Sequence, residues 1–215
     1  MSWADASIEI FGLPVRWTDL IGNICALATV VFAMRKSIWT WPVQFTGAVL
    51  LFAASVSAHV TGNALKQVLF GLLAVYGFWK WRQGTQEHAL RVRPATGRER
   101  LALIAAAVVG TIVVTALFKT FNLSWYPDAP LAIVAADAYI FVGGAVATWA
   151  QGRALVDFWI VWVAVDLVGV PVAFNSGLYV SGTVYAIFFV MVLAGFVKWL
   201  REYRATTAAS VAVAA

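Results

Sequence analysis

The chain has 215 residues, 62% of them hydrophobic and 12% charged, a balance too apolar for a soluble globular domain of this length. Its net charge of +5 would suit a nucleic-acid partner, but the basic residues sit in breaks between apolar runs and form no binding stripe. They report membrane topology instead, and no nucleic-acid partner is expected.

Apolar runs of about 20 residues recur along the chain, long enough to cross a bilayer, and their lack of two-residue alternation selects helices over a barrel. The first 16 residues, MSWADASIEIFGLPVR, carry Asp5 and Glu9. They lack the basic n-region and small-residue cleavage site of a signal peptide, so the N-terminus is expected to be retained. Breaks at charges, Pro and Gly predict spans over 18–34, 38–59, 63–81, 101–121, 132–151, 155–174 and 178–199. Cys25 lies in the first of them and has no second cysteine to pair with; it reads as a small apolar filler. Between the third and fourth spans lies the one long polar stretch, RQGTQEHALRVRPATGRER, and the chain ends in ATTAASVAVAA, a low-complexity segment expected to be disordered.

With the N-terminus outside, 12 of the 15 basic residues fall on the cytoplasmic side and only Arg16, Lys66 and Lys119 fall outside. The positive-inside rule therefore predicts a multi-pass cell-membrane protein with its C-terminus in the cytoplasm.

A gapless shift of 118 residues superposes Asp19 on Asp137, Arg35 on Arg153, Trp41 on Trp159, Val43 on Val161, Phe70 on Phe188, and GFWKW at 77–81 on GFVKW at 195–199. Three spans followed by one extra span return the second set to the orientation of the first, so the repeats are expected to be parallel. The predicted fold is all-α: seven transmembrane helices in a 3+1+3 arrangement. Residues 1–100 hold the first three-helix repeat and a cytoplasmic loop, 101–121 a linking helix, 122–204 the second repeat, and 205–215 the tail. Sites in such folds lie near the midplane between repeats, so residues matched by the shift should face one another across a central path.

Polar residues in mid-span mark that path. Trp159, Trp162 and Asp166 share one helical face, and the shift places them on Trp41, Gln44 and Ala48. A carboxylate in mid-span costs at least a few kcal/mol, so Asp166 faces the bundle interior, as a ligand-binding group or as a helix-helix hydrogen bond. Asn63 and Gln67 share a face of the third span, with Ser181 and Tyr185 as counterparts. Lys66 beside them reads either as a site residue or as a lysine snorkelling to the outer interface. Asp19 and Asp137 read either as site residues or as acids preceding their helices and favouring the helix dipole. Trp79, Trp81 and Trp199 lie beside basic loops and read as interfacial belt residues. Trp41, Trp159 and Trp162 ride with Gln44 and Asp166, and flat aromatics beside a few polar groups suit a flat heteroaromatic ligand. Pro171 would weaken the sixth span just past Asp166.

The runs SIWTWPVQF (37–45), TGNALKQ (61–67), YGFWKW (76–81), ADAYIFVG (136–143) and DFWIVWVAVDLVGVPVAFNSGLYVSGTVY (157–185) resemble the Pnu family of vitamin transporters, with TWPVQF and WVAVDLVGVP closer to its riboflavin branch. The resemblance implies a 3+1+3 fold similar to that of the sugar-transporting SWEET proteins. It implies facilitated diffusion of an unphosphorylated vitamin, trapped by a cytosolic kinase, with no cofactor. Riboflavin is the expected substrate; nicotinamide riboside or thiamine is the alternative, since a lone carboxylate also suits a cation. The expected substrate-binding residues are Trp41, Gln44, Asn63, Gln67, Asp137, Trp159, Trp162, Asp166 and Tyr185. The expected partners are the small-molecule vitamin and the lipid bilayer, and a homo-oligomer is compatible with both.

No catalytic or metal site is expected. His59 and His88 are too far apart for a dyad, Ser176 and Ser181 lack a nearby base, and no Cys or His cluster has ligand spacing. A channel or a structural membrane subunit stands as the competing class.

Overall fold

A computed structural model describes residues 6–10, 13–57, 61–87, 92–124, 129–175 and 179–214. His59, His88, Arg91, Asp128 and Ser176 lie outside the described residues, as does the side chain of Ser181. An antiparallel hairpin, β1 (Ser7–Ile10) with β2 (Leu13–Arg16), precedes seven helices. They are α1 (Trp17–Met34), α2 (Thr40–Ser57), α3 (Thr61–Glu87), α4 (Gly97–Phe121), α5 (Leu131–Gly152), α6 (Asp157–Asn175) and α7 (Tyr179–Ala214).

Six of these are long and apolar enough to cross a membrane, where seven spans were expected. The exception is α3, diluted by Asn63, Lys66 and Gln67 at one end and by Lys80 and Arg82 at the other. The second difference is at the C-terminus: α7 runs on to Ala214, so residues 205–214 are helical and not the expected disordered tail. The stretch is rich in alanine, the residue that loses least on entering a helix, and an existing helix propagates through it without a new nucleus.

α1 packs on α2 and α2 on α3; α5 packs on α6 and α6 on α7. The two groups meet where α3 packs on α5 and α1 on α7. α4 packs against α5 and turns Leu101, Ile104, Val108 and Ile112 outward, all more than half exposed. That stripe follows helical spacing and has hydrocarbon as its natural solvent. α4 opens with a capping box: Thr96 Oγ1 accepts from the Glu99 amide and the Glu99 carboxylate accepts from the Thr96 amide. Glu99 also binds both Arg93 guanidinium nitrogens at 2.7 Å and Arg153 at 2.8 Å, tying the segment before α4 to the α5–α6 turn. Arg93 pairs there with Leu155 in a single parallel bridge.

The α1–α2 and α5–α6 turns have the same backbone. Lys36 and Ala154 each adopt φ 54°. The Lys36 amide donates to Ala33 O and the Ala154 amide to Gln151 O, both at 2.9 Å. The residues that follow behave alike, with Ser37 N on Phe32 O at 3.0 Å and Leu155 N on Ala150 O at 3.2 Å.

The buried core lies at this end of the bundle and is aromatic. Trp41 meets Trp81 edge-on at 5.2 Å, and Trp159 meets Trp199 edge-on at 5.8 Å. The Trp81 indole N–H donates to Gln151 O at 3.0 Å, and that of Trp199 donates to Ala33 O at 3.2 Å. Both rings are almost wholly buried, so neither is the interfacial belt residue expected of it; a carbonyl from the other helical group satisfies each indole, which makes burial affordable. Trp79 is exposed, with Lys80 over its ring.

Candidate functional site

A cavity of about 410 Å³ runs between the two helical groups, lined by residues of α1, α2, α3, α5, α6 and α7, a volume typical of a small-molecule site. α2 presents Gln44, Gly47, Ala48 and Leu51 to it, at the three- and four-residue spacing of one helical face. α6 presents Trp159, Trp162, Asp166, Gly169 and Ala173 in the same way, and α3 presents Asn63, Lys66, Gln67 and Phe70. The wall follows the 118-residue shift. Asp19 and Asp137 both line it, as do Asn23 and Phe141, Gln44 and Trp162, Ala48 and Asp166, Gln67 and Tyr185, and Phe70 and Phe188.

Eight of the nine residues singled out from sequence lie on this wall: Gln44, Asn63, Gln67, Asp137, Trp159, Trp162, Asp166 and Tyr185. Trp41 does not. It is almost wholly buried, edge-on to Trp81 and seated on Gly77, where a Cβ would collide with its ring. Its counterpart Trp159 is seated on Gly195 in the same manner yet also reaches the cavity. The indole stripe on α2 thus ends in the core, one turn short of the cavity.

Two further readings are corrected. Asp137 does not precede its helix but lies well inside α5, whereas Asp19 is in the first turn of α1, where an acid does favour the helix dipole. Lys66 does not snorkel. Its ammonium is buried and binds Asp137 Oδ1 at 2.5 Å, while Ser124 Oγ donates to Asp137 Oδ2 at 2.9 Å. A buried charge must be paired, and this pair joins α3 to α5. Asn63 donates to Ser55 Oγ at 2.6 Å, and the Ser55 hydroxyl donates to Leu51 O.

Three residues that line the cavity each carry a buried polar atom with no hydrogen-bond partner in the protein: Asp166 Oδ2, Trp159 Nε1 and Gln151 Nε2. One is an acceptor and two are donors. A buried polar group without a partner is costly, so these three are atoms that a ligand or water could complete; Trp41 Nε1 and Thr111 Oγ1, away from the cavity, are unpartnered as well. Gln151 was missed from sequence. Its counterpart under the shift is Ala33, also on the wall, but a glutamine in the last turn of a span reads as an ordinary interfacial residue.

Among the described residues no group of three or more His, Cys, Asp or Glu could hold a metal ion.

The family described as nicotinamide mononucleotide transporter matches residues 16–201. The riboflavin/roseoflavin transporter RibM of Streptomyces davaonensis is 45% identical over 210 residues, covering 95% of each chain. The nicotinamide riboside transporter PnuC of Escherichia coli is 23% identical over 212 residues, covering 90% of this chain and 89% of that one. A crystal structure of the vitamin B3 transporter PnuC superposes with a TM-score of 0.65 at 18% identity, over 87% of this chain and 82% of that one, which establishes a shared fold. These relatives are named as transporters, not enzymes. The match over most of the length places this chain in the nicotinamide mononucleotide transporter family of multi-pass membrane transporters.

Proposed function

We propose that this protein carries riboflavin across the cell membrane by facilitated diffusion, with a cytosolic kinase trapping the vitamin. The observation that carries this reading is the set of three unpartnered atoms on residues that line the cavity, Asp166 Oδ2, Trp159 Nε1 and Gln151 Nε2. The flavin offers an imide N–H as well as carbonyl and ring-nitrogen acceptors, so a wall that carries both an acceptor and donors suits it. Trp159, Trp162 and Tyr185 supply flat surface for the ring. The 45% identity to a riboflavin/roseoflavin transporter supports the same choice. The second reading is nicotinamide riboside, favoured by the free carboxylate oxygen of Asp166, which suits a cationic ring.

The arrangement proposed is 3+1+3, with α1–α3 and α5–α7 as parallel repeats and α4 as the link. It is supported by the matched turns at Lys36 and Ala154, the reciprocal indole bonds of Trp81 and Trp199, and the paired cavity wall. The N-terminus is placed outside and the C-terminus in the cytoplasm, on the 12 to 3 split of basic residues.

Flavin fluorescence is quenched on stacking against tryptophan, so titrating the purified protein with riboflavin reads binding directly. Saturable quenching is expected, and Asp166→Ala should weaken it by about 1.5–3 kcal/mol through loss of the acceptor. No quenching, together with heat on adding nicotinamide riboside, transfers the assignment to the second reading.

A further inference from the structure

Four acidic or basic side chains line the cavity among the described residues: Asp19, Lys66, Asp137 and Asp166. They are not equally available to a ligand. Asp166 keeps Oδ2 without a partner, and Asp19 shares Oδ1 with the Asn23 amide at 3.1 Å. Asp137 has both oxygens engaged, Oδ1 by Lys66 and Oδ2 by Ser124. The Lys66 ammonium is held from the other side by the faces of Phe118 at 5.7 Å and Phe141 at 6.0 Å. The counterpart of Lys66 under the 118-residue shift is Val184, also on the wall, so this positive charge has no twin in the second helical group.

We propose that Lys66 determines the charge of the ligand the cavity accepts, disfavouring a cationic vitamin relative to a neutral one, an inference that rests on the vitamin-transport reading above. Lys66 acts by occupying Asp137: the pair is neutral, so a pyridinium or thiazolium ring meets one unit of negative charge fewer than it would without the ammonium. Across about 10 Å at an effective dielectric near 20, one unit charge shifts the affinity of a monovalent cation by roughly tenfold. A neutral flavin feels that field only through its dipole, so its affinity changes much less.

The test uses the full-length protein in detergent, with nicotinamide riboside binding followed by calorimetry and riboflavin binding by fluorescence quenching. Lys66→Gln removes the ammonium and leaves Asp137 the bond from Ser124. Nicotinamide riboside should then bind about tenfold tighter than to the wild type, with riboflavin changed less than about threefold. Asp137→Asn leaves Lys66 uncompensated and should shift the ratio of the two affinities the opposite way. The double variant Lys66→Gln, Asp137→Asn restores neutrality with a pair of amides of similar size, and its ratio should return to that of the wild type. If Lys66→Gln does not fold, the Asp137→Asn shift and the double variant decide the matter. An unchanged ratio across the variants that fold, or one that moves the same way in Lys66→Gln and Asp137→Asn, overturns the inference. Failure of the riboflavin reading has a different signature: no flavin quenching in any protein, with nicotinamide riboside affinity still rising in Lys66→Gln and falling in Asp137→Asn, which would uphold the role of Lys66.

Discussion

Lys36 and Ala154 occupy corresponding turns 118 residues apart, and both hold φ at 54°. Neither is glycine, and an L-residue with a Cβ is strained in the left-handed region. The strain is tolerated because each turn closes on a carbonyl, Ala33 O or Gln151 O, that also accepts a buried indole N–H.

Relief of that strain is measurable at Ala154, which is buried and has only a methyl group to lose. Ala154→Gly should leave stability unchanged or raise it by up to about 1 kcal/mol, the gain being offset in part by the freer unfolded chain. Ala154→Val should lose about 2 kcal/mol or more, because a β-branched residue is a poor fit at positive φ. Thermal unfolding in detergent reads both, and a more stable valine variant would remove strain as the explanation.

Gly77 and Gly195 separate stability from transport. A Cβ at Gly77 collides with Trp41 and one at Gly195 collides with Trp159, so each alanine variant should be destabilised by about 1–3 kcal/mol. Only Trp159 lines the cavity. Gly195→Ala should therefore also weaken riboflavin quenching, while Gly77→Ala should retain wild-type affinity in the folded fraction. Equal loss of affinity in both variants would place Trp41 back in the site.

Replacing Trp81 or Trp199 by Phe keeps an aromatic ring in the core and removes one indole donor. Each change should cost about 1 kcal/mol for the lost hydrogen bond, plus the loss of buried ring area. The orphaned carbonyl keeps its bond from Ala154 N or Lys36 N, which limits the damage. The two substitutions act at different carbonyls, and their effects on the unfolding midpoint should be close to additive.

The energetics of transport are tested in sealed vesicles that lack a kinase. Riboflavin should equilibrate across the membrane, and ionophores should not change the final level. Accumulation against a gradient, driven by protons, would instead make Asp166 a proton site. A reporter fused after Arg204 should read cytoplasmic, and an extracellular reading would reverse the proposed orientation.

Much of the cavity could be read from the chain alone because two independent regularities coincide there. Helical spacing put Trp159, Trp162 and Asp166 on one face, and the 118-residue shift carried that face onto Gln44 and Ala48. Trp41 satisfied both regularities and still fell outside: it is seated on Gly77 as Trp159 is on Gly195, and nothing local to either tryptophan tells which of the two also reaches the cavity. The Lys66–Asp137 pair spans 71 residues, and no local pattern distinguishes a lysine that reaches inward to a carboxylate from one that reaches outward to water. The helical end of α7 was hidden for a different reason: low complexity resembles disorder, while alanine's intrinsic preference extends a helix already nucleated upstream.

The paired wall has a consequence for the ligand's pose. In the parallel-repeat arrangement proposed above, a half-turn about the central axis maps Ala48 onto Asp166, Gln44 onto Trp162 and Gln67 onto Tyr185, so the wall positions repeat while the side chains on them do not. A flat molecule lying across that axis has two poses related by the half-turn, and a handful of polar atoms chooses between them. Moving the carboxylate across the axis, with Ala48→Asp and Asp166→Ala in one protein, should bind the same flavin end for end.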